Sequence, residues 1–236
     1  MGAGDLAHGK LLGFRGAWGC ARSRRPRYDR PMAFRVRLFD YLPSGNGYKV
    51  RLVLRALEIP FEFVPVAVTS GESRTPEFLA MNPNGKTPTC EVEPGRFLAE
   101  SHAICLYFAD GTQLVPKARF ERAQMLQWMG FEQYSLEPFI GTLRYWRRSL
   151  GRTPEEIGEE YRTKLDGGHR ALGILDQALA REPFLVEGRF GLADIALYAY
   201  THVAEEGDFE LSRFPAVCAW HERVRTEPGH IPIDHA

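Results

Sequence analysis

"NPNGKTPTCEVEPGRFLAESHAI" spans residues 82–104, and how it is read decides the fold. Asn82 and Gly85 make a turn, and Thr87-Pro88 leads into a strand over 87–93. Pro94-Gly95 is a hairpin signal that returns the chain as a second short strand over 96–100. A helix opens at Glu100 and Ser101, continues to 110, and ends at Gly111. An antiparallel pair followed at once by a helix is the closing half of an α/β unit, so the opening half should lie upstream.

It does. "FRVRLFDY" (34–41) alternates, with Phe34, Val36 and Leu38 on one side and Asp40 in register with them, and reads as a strand. "GYKVRLVLRALEI" (47–59) switches to helical spacing through Val50, Leu54 and Leu57. Lys49, Arg51, Arg55 and Glu58 are expected on its wet face, and Pro60 stops it. "FEFVPVAV" (61–68) is a second strand, whose Pro65 points to a sheet edge or a strand end. "TPEFLAMN" (75–82) is a helix with Thr75 as cap and Pro76 in first position. Residues 32–110 are thus predicted to form a βαβαββα unit with a mixed sheet and a right-handed crossover.

After a linker at 111–116 the strand signals vanish. Residues 117–150 predict a long amphipathic helix bent near Pro138. Residues 153–180 predict another, opened by the capping box Thr153-Pro154-Glu155-Glu156. "LADIALYAYTHVAEE" (192–206) is apolar nearly all round, the mark of a buried helix. A last helix (214–229) ends at Pro228-Gly229. The fold class expected is α/β plus all-α: an N-terminal βαβαββα domain, then a helical bundle over 117–236.

Formal net charge is zero, so a nucleic-acid or acidic-membrane partner gets no support. No apolar run approaches the ~18 residues of a membrane span. Residues 1–31 carry seven Lys/Arg against two acids, are Gly-rich at the start and show no period. They read as a disordered extension. The periodic sequence begins beside Met32, which favours an alternative start or a dispensable leader over a transit peptide. The four cysteines have no CxxC or zinc spacing. A disulfide framework and a metal site are therefore not expected, and a reducing, cytoplasmic setting is. His102, His169, His202 and His221 share no metal-ligand spacing and read as surface or packed residues.

Two motifs could carry chemistry. A proline entering a strand after a turn is a plausible cis site, which would turn the Thr87 backbone outward to pair with a peptide-like ligand. The bland alternative is a rigid strand entry. Glu100 and Ser101 open a helix whose free N–H groups attract a carboxylate, while Glu100 can receive an ammonium. Together they suit an α-amino acid head group; the bland alternative is an ordinary cap.

"NPNGKTPTCE" followed by "ESHAI" resembles the glutathione transferase family, whose usual form is NPxGxxP followed by ESxAI. The resemblance covers 34–229, including "GLADIALYAY" (191–200), and implies a thioredoxin-like domain ahead of the helical one. It implies that glutathione is the co-substrate, with no metal. Thr87, before Pro88, would pair with the cysteinyl part, Glu100 and Ser101 would hold the γ-glutamyl head, and Lys86 could reach the glycyl carboxylate. The sulfur would then lie at 44–47. A free thiol near pKa ~8.5 is mostly protonated at neutral pH, so a hydrogen-bond donor at a helix N-terminus favours the nucleophilic thiolate.

Three side chains compete for that role. Ser44, five residues before Lys49, resembles the serine-type pattern of zeta-, tau- and omega-like classes and is the first candidate. Asn46 is a second donor, as in bacterial classes where an amide assists, and Tyr41 ends the first strand, as in tyrosine-type classes. A plain helix cap is the bland alternative for Ser44. The chain departs from the zeta-like Ser-Ser-Cys, lacks a cysteine at 41–48, and has Gly191 where a hydroxyl cap is usual. Phe131 and Tyr134, with Tyr41, are candidates for the pocket of a hydrophobic electrophile. Core packing or a dimer contact competes for the helical aromatics. The implied activity is glutathione S-transfer by a cytosolic homodimer. A glutathione-dependent disulfide oxidoreductase and a non-catalytic interaction module are the alternatives.

Overall fold

The structure, a computed structural model, describes residues 34–236. The extension expected over 1–31 lies outside the described residues, as does Cys20. Four strands form one mixed sheet in the order β2-β1-β3-β4. Strand β1 (Val36–Asp40) runs parallel to β2 (Phe61–Pro65) through the crossover helix α1 (Gly45–Ala56). Strand β3 (Thr89–Glu93) lies antiparallel to β1 on its other side, and β4 (Arg96–Ala99) completes the hairpin. Pro65 is both the last residue of β2 and on a sheet edge, where its missing N–H costs no ladder bond. Helix α2 (Pro76–Met81) is capped by Thr75, whose Oγ1 accepts from Phe78 N at 3.3 Å. Helix α3 (Ser101–Ala109) follows β4, so the βαβαββα order is complete.

The C-terminal domain is helical: α4 (Arg119–Phe131), α5 (Glu137–Arg144), α6 (Pro154–Ile157), α7 (Glu159–Leu179), α8 (Leu192–Thr201) and α9 (Pro215–Arg225). The long helix expected over 117–150 is interrupted by π-helical turns at Glu132–Leu136 and Tyr145–Ser149. The first has a local cause. Pro138 has no N–H, and its ring clashes with the carbonyl four residues back, so the ladder widens just before it. The helix expected over 153–180 is two. Gly158 sits at φ 70°, which ends α6 and starts α7.

Every residue of α8 is buried, as its all-round apolar sequence requires. Asp194 anchors it, accepting from Gly191 N at 3.0 Å, Leu185 N at 3.1 Å and Trp220 Nε1 at 2.9 Å. Helix α8 packs against α1, and this contact joins the sheet domain to the helical one in a single core. It also corrects the sequence reading of α1. Lys49 and Arg51, expected on the wet face, are 0% exposed. Arg55 and Glu58 are exposed as expected, but Lys49 is covered by Tyr200 of α8 and Glu132, and Arg51 by the C-terminal segment.

Candidate active site

The turn at 41–47 connects β1 to α1. Ser44 N donates to Tyr41 O at 2.7 Å, and Ser44, extended at ψ 126°, caps α1 by accepting from Gly47 N at 3.4 Å. A Cβ on Gly45 would meet the Tyr200 ring at 2.7 Å, and one on Gly47 would meet Asp40 Oδ2 at 1.6 Å. These glycines are therefore dictated by a helix α8 aromatic and a buried carboxylate.

Asn46 is the hub of a polar network. Its Oδ1 accepts from Lys49 Nζ at 2.8 Å and from Ser101 Oγ at 3.2 Å. Its Nδ2 donates to Glu137 Oε1 at 3.2 Å, and Gln133 Nε2 holds the other Glu137 oxygen at 2.6 Å. Lys49 Nζ also lies 2.8 Å from Glu132 Oε2 and 5.1 Å from the centre of the Tyr200 ring. His102 Nε2 is 2.9 Å from the same Glu132 oxygen. Burial pushes the Glu132 carboxyl up, but Lys49 and His102 more than offset this, and its pKa falls below the ordinary value. Glu132, Gln133 and Glu137 all belong to the π-turn before Pro138 or the start of α5, so the helical domain helps build the site.

The other half of the site lies at the β3 and α3 starts. The Thr87–Pro88 bond is cis. Asn82 Nδ2 donates to Lys86 O at 2.8 Å and to Thr89 Oγ1 at 3.1 Å, which braces the turn ahead of it. Thr87 is half-buried, Pro88 is buried, and the Lys86 side chain is exposed. Glu100 is exposed at φ 66°, an uncommon region for a residue with a Cβ, and directly precedes buried Ser101 at the first position of α3. The Ser101–Asn46 bond links this half to the turn at 44–47.

Beneath the turn, Asp40 ends β1 wholly buried, with Arg51 Nε 3.9 Å from its Oδ2. Burial raises its pKa to about 7, against the lowering by Arg51 and the Tyr41 backbone. Arg51 also donates to Leu42 O at 2.7 Å and Ile233 O at 2.9 Å, so the turn and the C-terminal segment share one brace. Arg144 Nη1 reaches Pro43 O at 2.6 Å from α5. Burial pushes Cys90 and Cys105 up to about 12, which disqualifies both as thiolates. Among the described residues no group of three or more His, Cys, Asp or Glu could hold a metal ion.

The sequence-stated candidates thus separate. Ser44, Asn46 and Ser101 come together, with Glu100 beside Ser101, and Thr87-Pro88 opens β3. Tyr41 gives the turn its carbonyl. Phe131 is half-buried, edge-on to Trp128 at 5.5 Å, and Tyr134 is 85% exposed. Glu132 and Glu137 were missed, and Lys49 was used only as the spacing partner of Ser44. Lys49 stands three residues after Asn46, the spacing that puts both on one helix face, which is the signal it offered. The glutamates offered none, because their partners on α1 lie in a distant segment, 91 residues away in the case of Asn46 and Glu137.

The family description "Glutathione S-transferase, N-terminal domain" matches residues 35–110, and "Glutathione S-transferase, C-terminal domain" matches 139–228. A crystal structure of a possible glutathione S-transferase from Rhodopseudomonas palustris is 46% identical, with a TM-score of 0.83 over 85% of this chain and 98% of that one. The disulfide-bond oxidoreductase YfcG of Escherichia coli is 30% identical over 196 residues, 80% of this chain and 90% of its own. The glutathione transferase URE2P8 of Phanerochaete chrysosporium, solved with oxidized glutathione, is 26% identical with a TM-score of 0.74, over 85% of this chain and 93% of that one.

Proposed function

Because the chain belongs to the glutathione S-transferase family, we propose that it is a glutathione transferase holding the thiolate of glutathione at the start of α1 for attack on an electrophilic small molecule. The observation that carries this reading is the 3.2 Å bond from Ser101 Oγ to Asn46 Oδ1. It joins the head-group motif to the thiol turn across 55 residues. In this reading Glu100 and Ser101 take the γ-glutamyl head, the Thr87 backbone pairs with the cysteinyl unit, and Lys86 approaches the glycyl carboxylate. Residues 32–110 would form the glutathione half, and 117–236 the acceptor half, with Phe131, Tyr134 and Tyr41 as acceptor contacts. By family likeness the protein works as a cytoplasmic homodimer.

We assign the thiolate donor to Asn46, with Ser44 capping the helix and lying within the same turn. Among the described residues, three contacts hold the Asn46 amide, whereas the Ser44 hydroxyl has one, from Gly47 N. One amide N–H goes to Glu137, and the second can donate to sulfur. The α1 N-terminus adds a favourable field for the anion. Removing a donor aimed at developing charge typically costs ~10²-fold or more. Asn46→Ala should therefore lower turnover of chlorodinitrobenzene by about that factor and Ser44→Ala by far less. The reverse order would return the role to Ser44.

A second reading, glutathione-dependent disulfide reduction, is favoured by the likeness to the E. coli oxidoreductase. With Cys90 and Cys105 buried, both thiols would come from glutathione. One thiolate attacks the disulfide, a second resolves the mixed disulfide, and oxidized glutathione and two thiols leave. Turnover of bis-hydroxyethyl disulfide without turnover of chlorodinitrobenzene would select this reading.

A further inference from the structure

We propose that the buried Lys49–Glu132 pair is a positioning device for the glutathione thiol: it fixes the Asn46 amide so that its free N–H, not its carbonyl, faces the sulfur. This rests on the reading of 44–46 as the thiol site. An asparagine amide is nearly symmetric in shape, so only its neighbours decide which end faces the ligand. Lys49 has donors and no acceptor, and its Nζ is 2.8 Å from Oδ1, so the oxygen must stand on that side. The acceptor-only Glu137 carboxylate, 3.2 Å from Nδ2, sets the same orientation from the other end, and Ser101 Oγ at 3.2 Å from Oδ1 fits it. With the amide reversed, N–H would meet ammonium, and the carbonyl oxygen would repel the thiolate.

Lys49 cannot drift. It is 0% exposed, lies against Tyr200, and is held by Glu132 Oε2 at 2.8 Å, itself 0% exposed and shared with His102 Nε2 at 2.9 Å. A charged donor on the carbonyl also polarises the amide, which makes its N–H a stronger donor. The pair is neutral overall, so the effect runs through orientation and polarisation rather than a net field. The helical domain, by placing Glu132 in its π-turn, would then take part in ionising the thiol and not only in binding the acceptor.

The test compares wild type, Lys49→Met and the doubly neutral Lys49→Met/Glu132→Gln. If the single variant does not fold, the double carries the test, because no unpaired charge is left buried. Two quantities are read: the pKa of enzyme-bound glutathione, from ultraviolet thiolate absorbance, and the affinity for S-methylglutathione, which has no ionisable thiol. The expected result is a bound-thiol pKa raised by about one unit, a tenfold loss of thiolate, with S-methylglutathione affinity changed less than ~3-fold. An unchanged thiol pKa in the folded variant overturns the inference. So does a pKa rise matched by an equal loss of S-methylglutathione affinity, which would mean a merely structural role. Failure of wild type to bind either ligand instead overturns the proposed function, and this inference with it.

Discussion

Neutralising Lys49 alone should be costly for stability, and neutralising it together with Glu132 should not. The two charges are 2.8 Å apart and 0% exposed. At an effective dielectric of about 20 their attraction is about 6 kcal/mol. Taking each ion out of water costs several kcal/mol, so the net contribution of the pair is near zero. Lys49→Met removes the attraction but leaves Glu132 desolvated, for which about 3–5 kcal/mol is the usual penalty. Because His102 Nε2 stays 2.9 Å from Glu132, the lower end, ~3 kcal/mol, is expected. Glu132→Gln alone strands Lys49 in the same way. The double variant should recover most of the loss, giving a coupling energy of about 5 kcal/mol in a double-mutant cycle. Denaturant unfolding of the four proteins, compared at equal slope, measures it. Single variants that lose under ~1 kcal/mol, or a double variant as unstable as the two losses summed, would refute the reasoning.

Burial lowers the His221 pKa from 6.5 to about 3, with neighbouring His202 acting in the same direction. Below pH 6.5 the unfolded chain takes a proton that the folded chain refuses, so stability falls with pH by about 1.4 kcal/mol per unit. His221→Gln can keep the 2.9 Å contact with Thr201 Oγ1 and should lose about 2 kcal/mol less than wild type between pH 6.5 and 5 in paired melts. Equal losses would mean that the imidazole is not held neutral. Gly47→Ala drives a Cβ to 1.6 Å from a buried Asp40 oxygen and should cost about 3 kcal/mol. An unchanged melting midpoint for Gly47→Ala would contradict the packing under the turn.

The element order of the sheet domain was legible because its signals are local. Thr75-Pro76, Pro94-Gly95 and the switch in period at 47 each act within a few residues. Gly158 shows the limit. A glycine in a helical pattern can be tolerated or can end the helix, and only its positive φ decides. The π-turn before Pro138 was legible as a bend but not as the element that supplies Glu132. The wet face assigned to α1 held at Arg55 and Glu58 and failed at Lys49 and Arg51 for a different reason. Periodicity reports which residues share a face, not what covers that face, and α8 with the C-terminal segment covers this one. Ser44, Asn46, Thr87 and Ser101 were legible as candidates because each sits at an element start, where backbone chemistry marks it. Lys49, Glu132 and Glu137 act through contacts between distant segments, and no short window contains that.

A crystal structure of the complex with glutathione tests the central claim most directly. The expected result is the γ-glutamyl head on Glu100 and Ser101, the cysteinyl backbone paired with Thr87, and the sulfur within hydrogen-bond reach of Asn46 Nδ2 at the start of α1. Glutathione bound with its sulfur away from residues 44–46, or no glutathione bound at this site, would contradict it.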